Sequence, residues 1–137
     1  MDEVSRELAE LREAFRQGSE TYLFSCIASG DLITPADLAN RLGVPDEDVE
    51  QAIKNGRMFA MESPDGLKYV PAFFAAPALN KGVLAQASQI IAELPAASRY
   101  FFFTAHSTFL HGQTPLEALA DGKVDKVMTA AEAFRIR

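Results

Sequence analysis

The stretch "TPADLANRLGVPDEDVEQAIKNG", residues 34–56, constrains the fold of this chain more than any other. Thr34 suits a helix N-cap, Pro35 suits the first helical position, and Asp37 sits where a capping box wants an acid. Leu38, Ala39 and Leu42 recur on one helical face, Gly43 supplies the stop, and Val44 fills the turn. A second helix over 46–55 places Val49, Ala52 and Ile53 inward and stops at Gly56. Two short helices joined by a tight glycine-containing turn form a helix-turn-helix.

"MFAMESPDGLKYVPAFF" follows. "SPDG" is a turn signal, with Pro64 at its second position and Gly66 at its end. Its flanks are rich in Phe, Tyr, Val and Met, so 58–62 and 67–71 read as a short hairpin, with Pro71 marking an edge or the end of a strand. A helix-turn-helix followed by a hairpin resembles a winged-helix or an excisionase-like module, and the resemblance covers residues 31–74.

Other segments read as helices. Val4, Leu8, Leu11 and Phe15 recur at steps of four, three and four, predicting an amphipathic helix over 3–17 that ends at Gly18. It packs on its own domain or forms a homodimer seam. A second apolar helix spans about 20–29 and closes at Gly30. Beyond Pro77 the pattern predicts helices over 83–94, halted at Pro95, then over roughly 96–109, 115–120 and 123–134. The expected fold class is therefore mostly α: a helix-turn-helix with a small β-hairpin wing, followed by a C-terminal helical domain. The division falls between residues 1–76 and 77–137, and the chain shows neither an internal repeat nor a low-complexity tract.

With 137 residues, the chain makes one compact domain or two very small ones sharing a core. Ten Phe residues and no Trp leave Phe, Leu, Ile and Val to fill the interior. The single cysteine, Cys26, excludes an internal disulfide and a Cys-cluster zinc site. In "YLFSCIASG" it reads as a small core residue, which suits a reducing cytoplasm. "MDEVSRELAEL" is charged and periodic rather than a leader, and "VPAFFAAPAL" and "YFFFTA" are too short and interrupted to span a membrane. The expectation is a soluble, cytoplasmic protein without membrane contact.

Net charge is −6, unevenly spread: residues 1–30 carry −3, residues 31–71 carry −4 and residues 72–137 carry +1. DNA readers concentrate Lys and Arg on the docking face. Here the segment with the DNA-reading layout is the most acidic. The side chains of its second helix not needed for the core are Asp46, Glu47, Glu50, Gln51 and Lys54. Acids in a first turn complement the helix macrodipole. A carboxylate can accept from cytosine N4 but cannot bind phosphate. A DNA-binding role falls to Arg41, Gln51, Lys54, Arg57 and Lys68 along the helix end and wing. The competing reading keeps the motif as a packing or protein-contact module.

"HGQTPLEALADGKVDKV", residues 111–127, is the most patterned stretch. Thr114 caps, Pro115 takes the first helical position, Glu117 completes a T-x-x-E box, Leu116 and Leu119 point inward, and Gly122 ends the helix. Val124, Val127, Met128, Ala131 and Phe134 form the buried stripe of the next helix. Capping chemistry alone accounts for each of these residues.

Their order also resembles a family. "FFTAHSTFLHGQTPLEALADGKVDKV" is similar to the C-terminal domain of the Xre/MbcA/ParS-type antitoxins, the partners of RES-domain toxins. That family shows an aromatic-Leu pair, a Leu-Gly-Gly-x-Thr-Pro-Leu-Glu core, then Gly and an acidic-to-Val helix. Phe102 and Phe103 stand at the aromatic pair, and Leu110, Gly112, Thr114, Pro115, Leu116, Glu117 and Gly122 match the core. The chain departs from the pattern in having Phe where Trp is frequent and His111 in place of the first Gly. His106 replaces a Pro-Asn turn, and the hairpin is unlike the all-helical Xre module. The resemblance covers about 80–137 and implies a domain that grips a toxin-like partner protein, with the last helix and "FRIR", including Arg135 and Arg137, in the contact region.

Catalysis is not expected. His106 and His111 stand five apart with no acid at zinc-site spacing, and no phosphate loop, G-x-S-x-G or paired-acid motif occurs. His111 reads as a helix-end residue and His106 as a partly buried polar group. No metal and no cofactor is called for. The sequence thus points to an antitoxin-like regulatory protein that binds a partner protein through its C-terminal domain, with DNA binding as a second activity. The alternatives are a DNA-binding transcriptional regulator using the helix-turn-helix and wing, or a phage- or plasmid-type adaptor.

Overall fold

A computed structural model describes residues 21–136. The helix expected over 3–17 and the site candidate Arg137 lie outside the described residues. The chain is helical over 21–29 (α1) and turns at Gly30, whose φ is 84°. Strand β1 (Leu32–Ile33) leads into α2 (Pro35–Leu42) and α3 (Asp46–Lys54). Strands β2 (Met61–Glu62) and β3 (Lys68–Pro71) form the hairpin. Helices α4 (Lys81–Ile90), α5 (Ala96–Thr104), α6 (Pro115–Ala120) and α7 (Val124–Arg135) complete the fold. The molecule is mostly helical with a small antiparallel sheet.

Local chemistry sets these limits. Thr34 Oγ1 accepts from the Asp37 N–H at 3.1 Å, and Pro35 opens α2. Gly43 ends that helix in the left-handed region at φ 70°, where its N–H and that of Val44 satisfy the last carbonyls. Leu38 and Ala39 of α2 are buried against Val49 and Ala52 of α3, closing the helix-turn-helix.

The sheet has order β1-β3-β2, with Leu32 opposite Pro71, Ile33 opposite Val70 and Met61 opposite Tyr69. The hairpin is therefore present but shorter than expected, two residues on one side and four on the other. β1 is an addition, and it makes β3 the central strand. Pro71 ends β3, so its missing N–H removes no internal ladder bond. In the order α1-β1-α2-α3-β2-β3 the hairpin directly follows the helix-turn-helix.

Two expected helices are shorter than their apolar patterns. α4 stops at Ile90, where Ile91 takes φ −105° and a turn through Leu94 carries the chain to Pro95. α5 stops at Thr104, whose Oγ1 bonds back to the Tyr100 carbonyl at 2.8 Å while Ala105 swings to an extended conformation.

One apolar core runs through both parts of the chain. Phe59, just after α3, stacks on Phe103 of α5, and Phe73 stacks on Tyr100. Arg99 lays its guanidinium 5.4 Å from the Phe59 ring centre and donates Nε–H to the Leu94 carbonyl at 2.8 Å. Burial there lowers its pKa. The end of α3 is fastened to α4 as well: buried Ser88 donates its hydroxyl to the Gly56 carbonyl at 2.8 Å. Cys26 is buried in this core as expected, 3.8 Å from the Tyr100 hydroxyl, and burial together with that thiol raises the Tyr100 pKa. Among the described residues no helix is long and apolar enough to cross a membrane.

Candidate functional site: an apolar groove between α5, α7 and the 105–114 loop

The run "YFFF" at 100–103 cannot face one way on a helix that turns 100° per residue. Tyr100, Phe102 and Phe103 turn inward and are buried, which leaves Phe101 60% exposed. The loop after α5 then folds on itself. Ser107 N–H donates to Gln113 O at 3.0 Å, Gly112 N–H donates to Ser107 O at 2.8 Å, and His106 Nδ1 lies 2.8 Å from Gly112 O. Buried Leu110 pins the loop from below, while His111 takes a left-handed φ of 57° to close its short 3-10 turn. Gln113 ties the loop to the α6–α7 junction through Asp121 and Lys123, both at 2.7 Å. The closed loop holds Phe109 outward, 53% exposed.

Between these elements lies a groove of about 350 Å³. It is lined by Phe101 and Phe102 from α5, Ala105 and Phe109 from the loop, and Ala130 and Phe134 from α7. Within that lining the Phe102 and Phe134 ring centres lie 5.2 Å apart. Beside it Ile136 is 77% exposed. Exposed aromatic rings around an apolar concavity are the ordinary makings of a protein-docking site.

The residues taken from the C-terminal motif divide into two sets. Phe102, Phe103, Leu110, Thr114 and Pro115 are buried. Phe103 is fully enclosed and belongs to the scaffold rather than to a contact surface. Leu116 is half-buried, while Gly112, Glu117 and Arg135 are exposed, and Arg135 pairs with Glu132 at 2.7 Å. Thr114 and Glu117 form the full capping box: Glu117 N–H donates to Thr114 Oγ1 at 3.1 Å, and Thr114 N–H donates to Glu117 Oε1 at 2.9 Å. That backbone bond, then the Thr114 side chain, holds the Glu117 carboxyl below the usual carboxylate range. His106 is exposed, not partly buried, because the loop it closes lies on the surface; it stands 3.9 Å from Glu117. Phe101 and Phe109 did not stand out in the sequence, and only the 100° rotation within "YFFF" hinted at Phe101.

The helix-turn-helix surface differs in kind. Asp46, Glu47, Glu50, Gln51 and Lys54 are all exposed on α3. Arg41, Arg57 and Lys68 are exposed as well, and Arg57 Nε donates to Asn55 Oδ1 at 3.0 Å. Lys68 sits in register with Glu62 across the hairpin, so a carboxylate neighbours its charge. At the wing tip the Ser63 hydroxyl donates to Asp65, whose carboxyl is held below the usual range chiefly by that bond. Among the described residues no group of three or more His, Cys, Asp or Glu is placed to hold a metal ion.

Compared with known proteins, the chain matches no family model, no curated protein and no solved structure.

Proposed function

We propose that this chain is an antitoxin-like cytoplasmic regulator that binds a toxin-like partner protein through the groove between α5 and α7. The observation that carries the reading is the pairing of exposed Phe101 and Phe109 across an apolar concavity. Support comes also from the resemblance of residues 80–137 to the toxin-gripping domain of the Xre/MbcA/ParS-type antitoxins. On this reading the motif residues Phe102, Phe103, Leu110 and Thr114 build the groove, and Phe101, Phe109, Phe134 and the chain beyond it make the contacts. Aromatic anchors of this kind dominate interface energetics.

Co-expression tests the proposal. Growth arrest caused by an enzyme-like protein encoded in the neighbouring gene should be relieved by the wild-type chain and not by the Phe101→Asp/Phe109→Asp variant. Relief by both chains alike would contradict it.

A second reading is favoured by the winged order of the N-terminal elements: the chain regulates transcription by binding DNA through Arg41, Gln51, Lys54, Arg57 and Lys68. The exposed carboxylates Asp46, Glu47 and Glu50 on the leading turns of α3 weigh against it, since they would face phosphate. An adaptor role, with neither toxin nor operator, would use the same groove.

A further inference from the structure

The loop at 105–114 determines which nitrogen of His106 carries a proton. His106 Nδ1 lies 2.8 Å from Gly112 O. A carbonyl oxygen only accepts, so Nδ1 must donate. Glu117 Oε1 also faces this nitrogen, at 3.9 Å, too far for a hydrogen bond and itself an acceptor. Both neighbours therefore call for a proton on Nδ1. In the neutral ring Nε2 is then left with a lone pair, and it has no hydrogen-bond partner among the described residues. The His106 side chain is 76% exposed, so that lone pair is open to an incoming group.

His106 belongs to the lining of the groove. Of the other lining side chains only Ser107 and Thr108 are polar, and a hydroxyl either donates or accepts. His106 Nε2 is thus the one side-chain atom of the lining whose role is fixed: in the neutral ring it accepts. Histidine is also the residue whose ordinary titration falls between about pH 5 and 8. Protonating Nε2 leaves the Nδ1 bond to Gly112 O in place and turns the outer nitrogen from acceptor to donor.

We propose that His106 is a specificity-determining residue of the groove: held as the Nδ1–H tautomer by Gly112, it offers Nε2 to an N–H or O–H donor on the partner protein and refuses that donor once the ring is protonated. The tautomer stands on the loop geometry alone; the recognition rests on the partner reading above. Charged groups surround the ring on each side. Glu117 of α6 has Asp121 near it, Lys123 is held to the loop by Gln113, and α7 carries the Glu132–Arg135 pair. His111 is the second histidine of the loop and of the chain, so it is replaced in every pH comparison.

Two-bond proton–nitrogen correlation spectra of the chain carrying His111→Asn, recorded above the histidine titration, read the tautomer directly. Asn tolerates the left-handed backbone at position 111. A protonated Nδ1 and an unprotonated Nε2 are expected. The reverse pattern, which a histidine free in water prefers, overturns the proposal. Calorimetric titration with the protein encoded beside the chain tests the recognition in the same background. His106→Asn keeps an amide N–H where Nδ1 stands but removes the outer acceptor. It should bind roughly two- to tenfold more weakly than its parent above the histidine titration. The two should converge as pH falls from about 8 to about 5. A ratio of one across that range overturns the recognition and leaves the tautomer. No binding by the parent at any pH overturns the partner reading and the recognition with it, whereas the spectra involve no partner.

Discussion

Phe59 and Phe103 stack with ring centres 6.2 Å apart and planes 11° from parallel, joining the segment after the helix-turn-helix to the first aromatic helix of the C-terminal part. Both rings are almost wholly buried. The winged unit and the groove-bearing helices therefore share their largest side chains. Phe103→Ala is expected to cost about 3–5 kcal/mol, the usual price of an aromatic cavity. Because the core is shared, thermal unfolding should remain a single transition. Coincident far-UV and near-UV melts check this, and a variant that loses the C-terminal signal first would show the two parts to be separate.

Gly56 is the second tie between the parts. Its φ is 83°, and a Cβ there would lie 2.9 Å from Ala92 Cβ on the turn after α4. Gly56→Ala therefore combines left-handed strain of about 1 kcal/mol or more with a clash. Gly66, at φ 85° with open space around it, isolates the strain alone. Chemical denaturation should rank Gly56→Ala clearly below Gly66→Ala in stability; equal losses would mean that the α3–α4 contact is loose.

The Thr114–Glu117 box gives a pH-dependent prediction. Thr114→Ala should cost about 0.5–2 kcal/mol. Glu117 has its pKa lowered in the folded protein, so its stabilising contribution is full above the ordinary carboxylate range. That contribution is lost as pH falls through the depressed folded value. The melting temperature of wild type should exceed that of Glu117→Ala at neutral pH and converge on it in acid. A gap that widens in acid would reverse the sign and refute the box as its source.

These boundaries were open to sequence reasoning because each is written in a few neighbouring residues: Thr34-Pro35, Gly43, Thr114-Pro115 with Glu117, Gly122. What escaped depends on distant partners or on rotation. Leu32 and Ile33 are too few to show alternation, and they become a strand only because Val70 and Pro71 lie opposite. The ends of α4 and α5 were hidden because Leu94, Ala105 and Phe109 continue a helical apolar pattern after the helix has stopped. Phe102, Phe103, Leu110, Thr114 and Pro115 are buried for the same reason they are recognisable: caps, turns and buried anchors are local requirements. The rings left outside, Phe101 and Phe109, are exposed by the packing of their neighbours, which no local pattern records.

The basic side chains near the wing separate the second reading from the first. If the chain binds DNA, Lys54→Glu and Lys68→Glu should each weaken duplex binding and shallow its salt dependence by about one ion. Binding that steepens with falling salt, measured by fluorescence anisotropy, is the signature. Absence of duplex binding at low salt removes the regulator reading and leaves the groove untouched.

The central claim is that the Phe101–Phe109 groove is the partner-binding surface. Calorimetric titration of the purified chain with the protein encoded beside it tests this most directly. The account predicts binding by wild type and by the Lys54→Glu/Lys68→Glu variant, and a loss of about 2 kcal/mol or more for Phe101→Asp/Phe109→Asp. Wild-type affinity in that last variant, with its fold intact, would contradict the account.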